Sequence, residues 1–132
     1  MAKIHSGELK FRVTGPDQIE ILEDMLVEVI GKGWAINAGD RGDLSSYPLI
    51  GMALYDPFEG ALAGVWHDKR YQLQDCTRKE ADQGWYELAI EGQNAETRMS
   101  PWKARIGHMA LRAGGWMAWN KYKRFNDEKR SS

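Results

Sequence analysis

Five carboxylates gather within a short N-terminal stretch: Asp17, Glu20, Glu23, Asp24 and Glu28. Closely spaced oxygen ligands suit a divalent cation such as Mg²⁺, and an acidic face also suits a basic partner. A second set lies near the other end, where Trp119, Tyr122 and Phe125 are interleaved with Lys121, Lys123 and Arg124. Aromatics with cations make protein-interface anchors, or stack on bases while the cations meet phosphates. His5, His67, His108 and Cys76 complete the candidates for metal or nucleophilic chemistry. They share no His-x-x-x-His or Cys-x-x-Cys spacing, and there is no Gly-x-Ser-x-Gly elbow. No catalytic residue, metal or cofactor is therefore assigned.

The elements that must position these residues can be read from periodicity. Residues 8–14 alternate, with Leu9, Phe11 and Val13 on one side and Lys10, Arg12 and Thr14 on the other, which predicts a half-buried strand. Gly15-Pro16-Asp17 breaks it. Ile19, Leu22, Met25, Leu26, Val29 and Ile30 then recur at helical spacing, and Gly31 and Gly33 follow as a C-terminal stop, so a helix is expected over 17–31. Its outer face would be the acidic set. Glu20, Asp24 and Glu28 would stack as like charges, a repulsion to be offset by solvent, a cation or the basic C-terminal end. Trp34-Ala35-Ile36 reads as a second strand beside the first, and 37–46 as a polar loop. In that loop Asp40 and Asp43 fall short of a calcium-loop ligand set.

Two readings stay open over 48–92. Tyr47-Pro48, Asp56-Pro57-Phe58-Glu59 and the capping box Thr77-Arg78-Lys79-Glu80 are helix starts, and Phe58, Ala61, Leu62, Val65 and Trp66 share one helical face. Gly51, Gly60, Gly64 and Gly84 oppose helices, and allow instead a hairpin of Ile50–Tyr55 with Ala61–Trp66 plus a strand over Trp85–Ile90. The agreeing start signals favour helices. Ser100-Pro101-Trp102 opens a last helix, kinked or interrupted at Gly114-Gly115. Trp102, Ile106, Met109, Ala110, Ala113, Trp116, Met117 and Asn120 fall on one stripe, expected to be core. The opposite side carries the small residues Ala104 and Gly107 with Leu111 and Ala118, so packing on both faces is expected. Only the part around 116–125 is left as surface, followed by a polar tail over 126–132.

Glu20-x-x-Glu23 resembles half of the motif of the all-helical nucleoside-triphosphate pyrophosphohydrolases, which hold Mg²⁺ with Glu-x-x-Glu on one helix and Glu-x-x-Asp on another. That resemblance implies a Mg²⁺-dependent nucleotide hydrolase using the acidic helix, with Glu87 and Glu91 nearest to a second half. His67-Asp68 is similar to the dyad of HD-type metal phosphohydrolases, although a pair of polar residues facing solvent is the simpler reading.

Charge is polarised along the chain. From Arg98 onward nine Lys or Arg face two acids, a net +7, while the first 97 residues carry −8. With 132 residues and 42% hydrophobic content there is material for one core. No apolar run approaches a membrane span, so no membrane partner is expected, and a lone cysteine favours a reducing cytoplasm. The expected fold is a helix-rich α+β single domain over 1–125, with a short N-terminal strand pair, an acidic first helix and a kinked Trp-rich C-terminal helix. The expected function is non-catalytic binding of a protein partner by an accessory, inhibitor or adaptor of the kind mobile elements encode. Nucleic-acid binding through the basic aromatic end is the alternative.

Overall fold

Between Gln18 and Val29 burial has period two, not 3.6. Ile19 and Ile21, then Met25, Val27 and Val29, are buried, while Leu22 and Leu26 are half exposed. The expected acidic helix is therefore a pair of strands. β-Branched side chains at alternate positions fit a pleated, half-buried surface better than a helix, where χ1 is crowded by the preceding turn.

The computed structural model describes residues 2–15, 18–43, 61–92 and 98–131. Six short strands come first: β1 (Lys3–Ser6), β2 (Phe11–Gly15), β3 (Gln18–Ile21), β4 (Met25–Val29), β5 (Lys32–Ile36) and β6 (Arg41–Asp43). They form two antiparallel three-stranded sheets, ordered β1-β4-β5 and β2-β3-β6. β2 overlaps the second half of the predicted first strand and runs one residue further, to Gly15, although Val13 is mostly exposed. The strand at 34–36 is part of β5, which pairs with β4 and not with the first strand as expected. Part of the predicted polar loop is β6, paired with β3.

Gly31 is a hairpin residue and not a helix stop. β4 and β5 are joined by Ile30 and Gly31, both with positive φ (51° and 72°). Two such residues in a two-residue connection match the twist of the strands they join. The β-branched Ile30 is disfavoured there. Its amide donates to Glu87 Oε1 at 3.1 Å, so a side chain from the helical layer holds the turn.

Among the described residues four helices follow: α1 (Ala61–Leu73), α2 (Arg78–Glu91), α3 (Pro101–Gly114) and α4 (Trp116–Ser131). The described part of 48–92 is thus helical. The start signals at Tyr47-Pro48 and Asp56–Glu59, and the alternative strand at 50–55, lie outside the described residues. The Thr77 capping box is present in full, with Glu80 N donating to Thr77 Oγ1 and Thr77 N to Glu80 Oε1. Gly115 stays in the right-handed helical region, donates to the Leu111 carbonyl and accepts from Trp119 N. Helical register therefore carries across the predicted break, and α4 continues to Ser131 through the stretch expected as a tail.

Packing proceeds outward from the sheets. α1 lies on β6 and against α2, α2 also meets β4, α3 packs on α2, and α4 on α1. Ile19, Ile21, Val27, Val29 and Ile36 meet Leu62, Val65, Trp66, Trp85 and Leu88 in one core. Two close approaches set the helical layers. The Trp66 ring occupies the space a side chain at Gly84 would need, and the Trp85 ring does the same at Gly107. Gly84, one of the glycines that argued against helices, is thus the seat of a neighbouring indole, whereas Gly64 has open space around it.

This interlock overturns the expected core stripe of α3 at Trp102 and Met109, while Ile106 and Ala110 of that stripe still pack partly against the core. Ala104, Gly107 and Leu111 face inward, while Trp102 is 54% and Met109 59% exposed. Small residues lie inward because a tryptophan from α2 fills the gap. We predict that Gly107→Ala, which drives a methyl into Trp85, costs roughly 1–3 kcal/mol. Gly114→Ala, with open space around it, should be neutral or stabilising by up to about 1 kcal/mol. Urea melts of the two variants check this, and equal effects would refute the interlock.

Candidate functional site

The most concentrated polar chemistry lies at Asp82, which is fully buried on α2. Its Oδ1 accepts from Tyr71 Oη at 2.6 Å and from His67 Nε2 at 2.9 Å. Its Oδ2 accepts from Arg112 Nη1 at 2.8 Å and Arg78 Nη1 at 3.4 Å. Four donors fill the lone-pair sites of one carboxylate. Burial pushes the Asp82 pKa up, but the hydrogen bonds from His67, Tyr71 and Arg112 outweigh it and the net shift is downward. His67 is shifted down by burial despite Asp82, so it is a neutral imidazole whose Nε2 carries the proton. Burial and the Asp82 hydrogen bond raise the Tyr71 phenol. Arg78 also donates to the Leu111 and Arg112 carbonyls at 3.0 and 3.3 Å. The cluster joins α1, α2 and α3 and offers no exposed carboxylate. Its geometry is that of a structural tie.

His67 was expected at the surface and is buried, paired with Asp82 and not Asp68 in the manner of an HD dyad. Cys76 is half-buried, and burial with the nearby Asp75 and Glu80 pushes its thiol up to about 11, which keeps it protonated at neutral pH. Among the described residues no three His, Cys, Asp or Glu side chains come together in a way that could hold a metal ion.

The acidic set is dispersed over the sheets. Glu20 on β3 lies between Arg12 of β2 and Arg41 of β6, its direct cross-strand neighbours, at 2.8 and 3.2 Å. Glu23 pairs with Lys10 at 3.0 Å, Asp24 Oδ1 accepts from Ala38 N, and Glu28 lies 3.6 Å from His5. Asp17 lies outside the described residues. Strand pairing thus supplies the compensation, and the basic C-terminal helix, packed on α1, does not. Without a helix the Glu-x-x-Glu resemblance loses the geometry it needs, and Glu87 is engaged by Ile30 N and Gln83.

Of the predicted C-terminal surface, Lys121, Lys123, Arg124 and Phe125 are exposed, with Lys121 Nζ 5.9 Å from the centre of the Phe125 ring. Trp119 and Tyr122 are half-buried. Trp119 meets Tyr71 edge-on at 5.1 Å and its carbonyl accepts from Gln74 Nε2 at 2.7 Å, so it fastens α4 to α1. Asn126 Nδ2 adds a bond to the Gln72 carbonyl.

The side of α3 and α4 turned away from these contacts carries the largest exposed apolar side chains of the helical layer. Trp102, Met109, Trp116 and Met117 are each more than half exposed, and Ile106 is half-buried beside them. Because register carries across Gly115, they form one stripe at 100° per residue. A shallow groove of about 410 Å³, lined by Pro101, Trp102, Arg105, Ile106 and Met109, lies at its start. No family model, curated protein or solved structure matches this chain.

Sequence reasoning found this stripe and assigned it to the core. The signal that corrects it is the small-residue line Ala104, Gly107, Leu111 on the other side. A helix that can approach its neighbour on a glycine buries that side and leaves its bulky side outward.

A pH dependence follows from the Asp82 cluster. Native His67 takes a proton less readily than unfolded His67, so its share of stability is complete above about pH 6.5 and falls as pH drops toward the native value. Asp82, shifted down, adds a second loss only near and below its ordinary value of 3.8. Unfolding free energy measured from pH 8 to 4.5 should fall below about pH 6.5, and His67→Gln should flatten that limb. A slope unchanged in the variant would show that His67 is not held neutral.

Proposed function

We propose that this is a non-catalytic binding protein that recognises a protein partner through the outward stripe of α3 and α4. One observation carries the reading: four large apolar side chains, Trp102, Met109, Trp116 and Met117, are each more than half exposed on one helical line. Scattered exposed apolar residues are ordinary, but a contiguous line of them marks an interaction surface. Trp is favoured at interface centres, and Met adapts to irregular partners. Arg124, with Lys123 at its edge, extends the same surface, and the lone cysteine fits work in the cytoplasm as an accessory, inhibitor or adaptor. No helix is long and apolar enough to cross a membrane among the described residues. The Asp82 cluster, whose carboxylate is closed to solvent, supports fold and not turnover.

The competing reading is nucleic acid, favoured by the exposed cations beside Phe125. Phosphate contacts would make such binding steeply salt-dependent.

The experiment is photo-crosslinking in cells expressing the full chain, with a benzophenone amino acid at Met109 or Met117 and, as control, at exposed Lys79 on α2. We expect a discrete protein adduct at the first two positions and none at Lys79. Met109→Asp with Trp116→Asp should leave the melting temperature within about 2 °C, because exposed substitutions cost little. Crosslinks that are absent, or equal at all three positions, would refute the reading. Retention on duplex DNA at low salt would replace it with the nucleic-acid alternative.

A further inference from the structure

Among the described residues the two sheets present four edges, and three of them are blunted. β1 is irregular between Ile4 and Ser6, β2 between Val13 and Gly15, and β6 is covered by α1, with Val65 seated against Gly42. Bulges and covering elements are the ordinary means by which sheet edges are kept from pairing. β5 has neither. Its five residues pair with β4 without a shift in register, and no described strand lies on its other side.

Across the two-residue hairpin at Ile30-Gly31, Val29 and Lys32 form the hydrogen-bonded pair, and alternation then directs the backbone groups of Trp34 and Ile36 toward β4 as well. The N–H and C=O groups of Gly33 and Ala35 therefore point to the open edge, and no described residue bonds to them there. Both residues are exposed, and a side chain at Gly33 would meet nothing within 4 Å. Packing inside the chain thus gives no reason for a glycine at this position. Glycine within a strand suits the close approach of a second backbone.

We propose that β5 pairs antiparallel with β5 of a second copy of this chain, centred on Trp34, so that two three-stranded sheets become one of six strands. In that register Gly33 lies opposite Ala35 of the second copy and Ala35 opposite Gly33, and four hydrogen bonds use every outward group of the two residues. A two-fold centre at Gly33 or at Ala35 would set one of the two against a turn residue beyond the strand. Trp34 meets Trp34 at the non-hydrogen-bonded position, where side chains stand closest and aromatic pairs stabilise a sheet. Each indole is half-buried with Arg70 stacked 4.5 Å from its centre, so it is held in place before pairing. Charge favours the antiparallel sense. Lys32 opens β5, while Asp24 and Asp40 accept from Ala38 N and Asn37 N in the turn that closes it. Reversal brings each cation toward the carboxylate end of the other copy. It also sets the two Lys32 residues four positions apart along the strands, roughly 14 Å, which exceeds the screening length at physiological salt. An unrelated extended peptide would gain the same backbone bonds but neither the indole pair nor the matched ends. The contact shares no residue with the α3–α4 stripe, so it stands or falls independently of the partner proposed there.

The test is sedimentation velocity of the full chain between about 10 μM and about 1 mM, a range suited to a small interface. We expect reversible dimerisation. Ala35→Pro removes an outward N–H and no bond to β4, so it should weaken association at least about tenfold. Met109→Asp with Trp116→Asp should leave association unchanged. Because proline can disturb a strand, register is read separately in two cysteine variants that both carry Cys76→Ala. Gly33→Cys mixed with Ala35→Cys, one of them tagged, should form the mixed disulfide on mild oxidation. Gly33→Cys alone should form little, because position 33 of one copy lies more than about 7 Å from position 33 of the other. A monomer at every concentration, a dimer that survives Ala35→Pro, a dimer lost through the α3–α4 substitutions, or mixed disulfides no more abundant than like-with-like ones would each overturn the proposal. If Ala35→Pro does not fold, the disulfide pattern decides alone.

Discussion

A buried carboxylate with four donors governs how the helices of this protein meet. Asp82 draws His67 and Tyr71 from α1, Arg78 from its own helix and Arg112 from α3 to a point without solvent. Burying an ionised group costs several kcal/mol unless every lone pair is used, and here every one is. The arrangement tolerates little displacement of any donor. Arg78 makes it stricter, because the guanidinium that reaches Asp82 also holds the last carbonyls of α3. Position and rotation of α3 are thus set at its C-terminal end by charge and along its length by the seating of Trp85 on Gly107. Which residues of α3 and α4 face outward follows from these two constraints together.

The sheets are tied to the helical layer by different means. Trp34 of β5 donates to the Val29 carbonyl and meets Trp66 edge-on at 5.6 Å. Arg70 of α1, buried and paired with Asp75, stacks its guanidinium 4.5 Å from the Trp34 ring. Lys69 reaches Asp40 at 3.3 Å, and Glu87 holds the strained hairpin at Ile30. The short strands thus gain order from contacts that the helices supply. An isolated small sheet is marginal in water, and these contacts compensate.

Parts of this organisation were legible from residue order. The α+β class, the Thr77 capping box and the Ser100-Pro101 start rest on local chemistry, and local chemistry survives folding. The 17–31 segment misleads because Ile19, Met25 and Val29 satisfy helical and alternating periods at once. Only the burial of Ile21 and Val27 separates the two, and burial is a tertiary fact. The α3 stripe was read with the right members and the wrong side, since bulky apolar residues predict the core unless a neighbour supplies the bulk. That neighbour is Trp85, and within residues 100–114 only the small Ala104 and Gly107 point to it. His67 and Asp82, fifteen positions apart on different helices, carry no spacing signal at all. Trp119, singled out for partner binding, is half-buried and fastens α4 to α1.

The six tryptophans fall into three environments, and this has an optical consequence. Trp66 and Trp85 are enclosed, Trp34 and Trp119 are half-covered against other rings, and Trp102 and Trp116 stand in water. Indole emission moves to longer wavelength as water relaxes around the excited state. The folded protein therefore emits as a mixture whose red edge belongs to Trp102 and Trp116. Covering α3–α4 dries those two rings and trims the red edge while the enclosed pair is unchanged; unfolding wets all six. Occupancy of that face and loss of the fold thus shift the colour of the native protein in opposite directions, and one unlabelled sample distinguishes them.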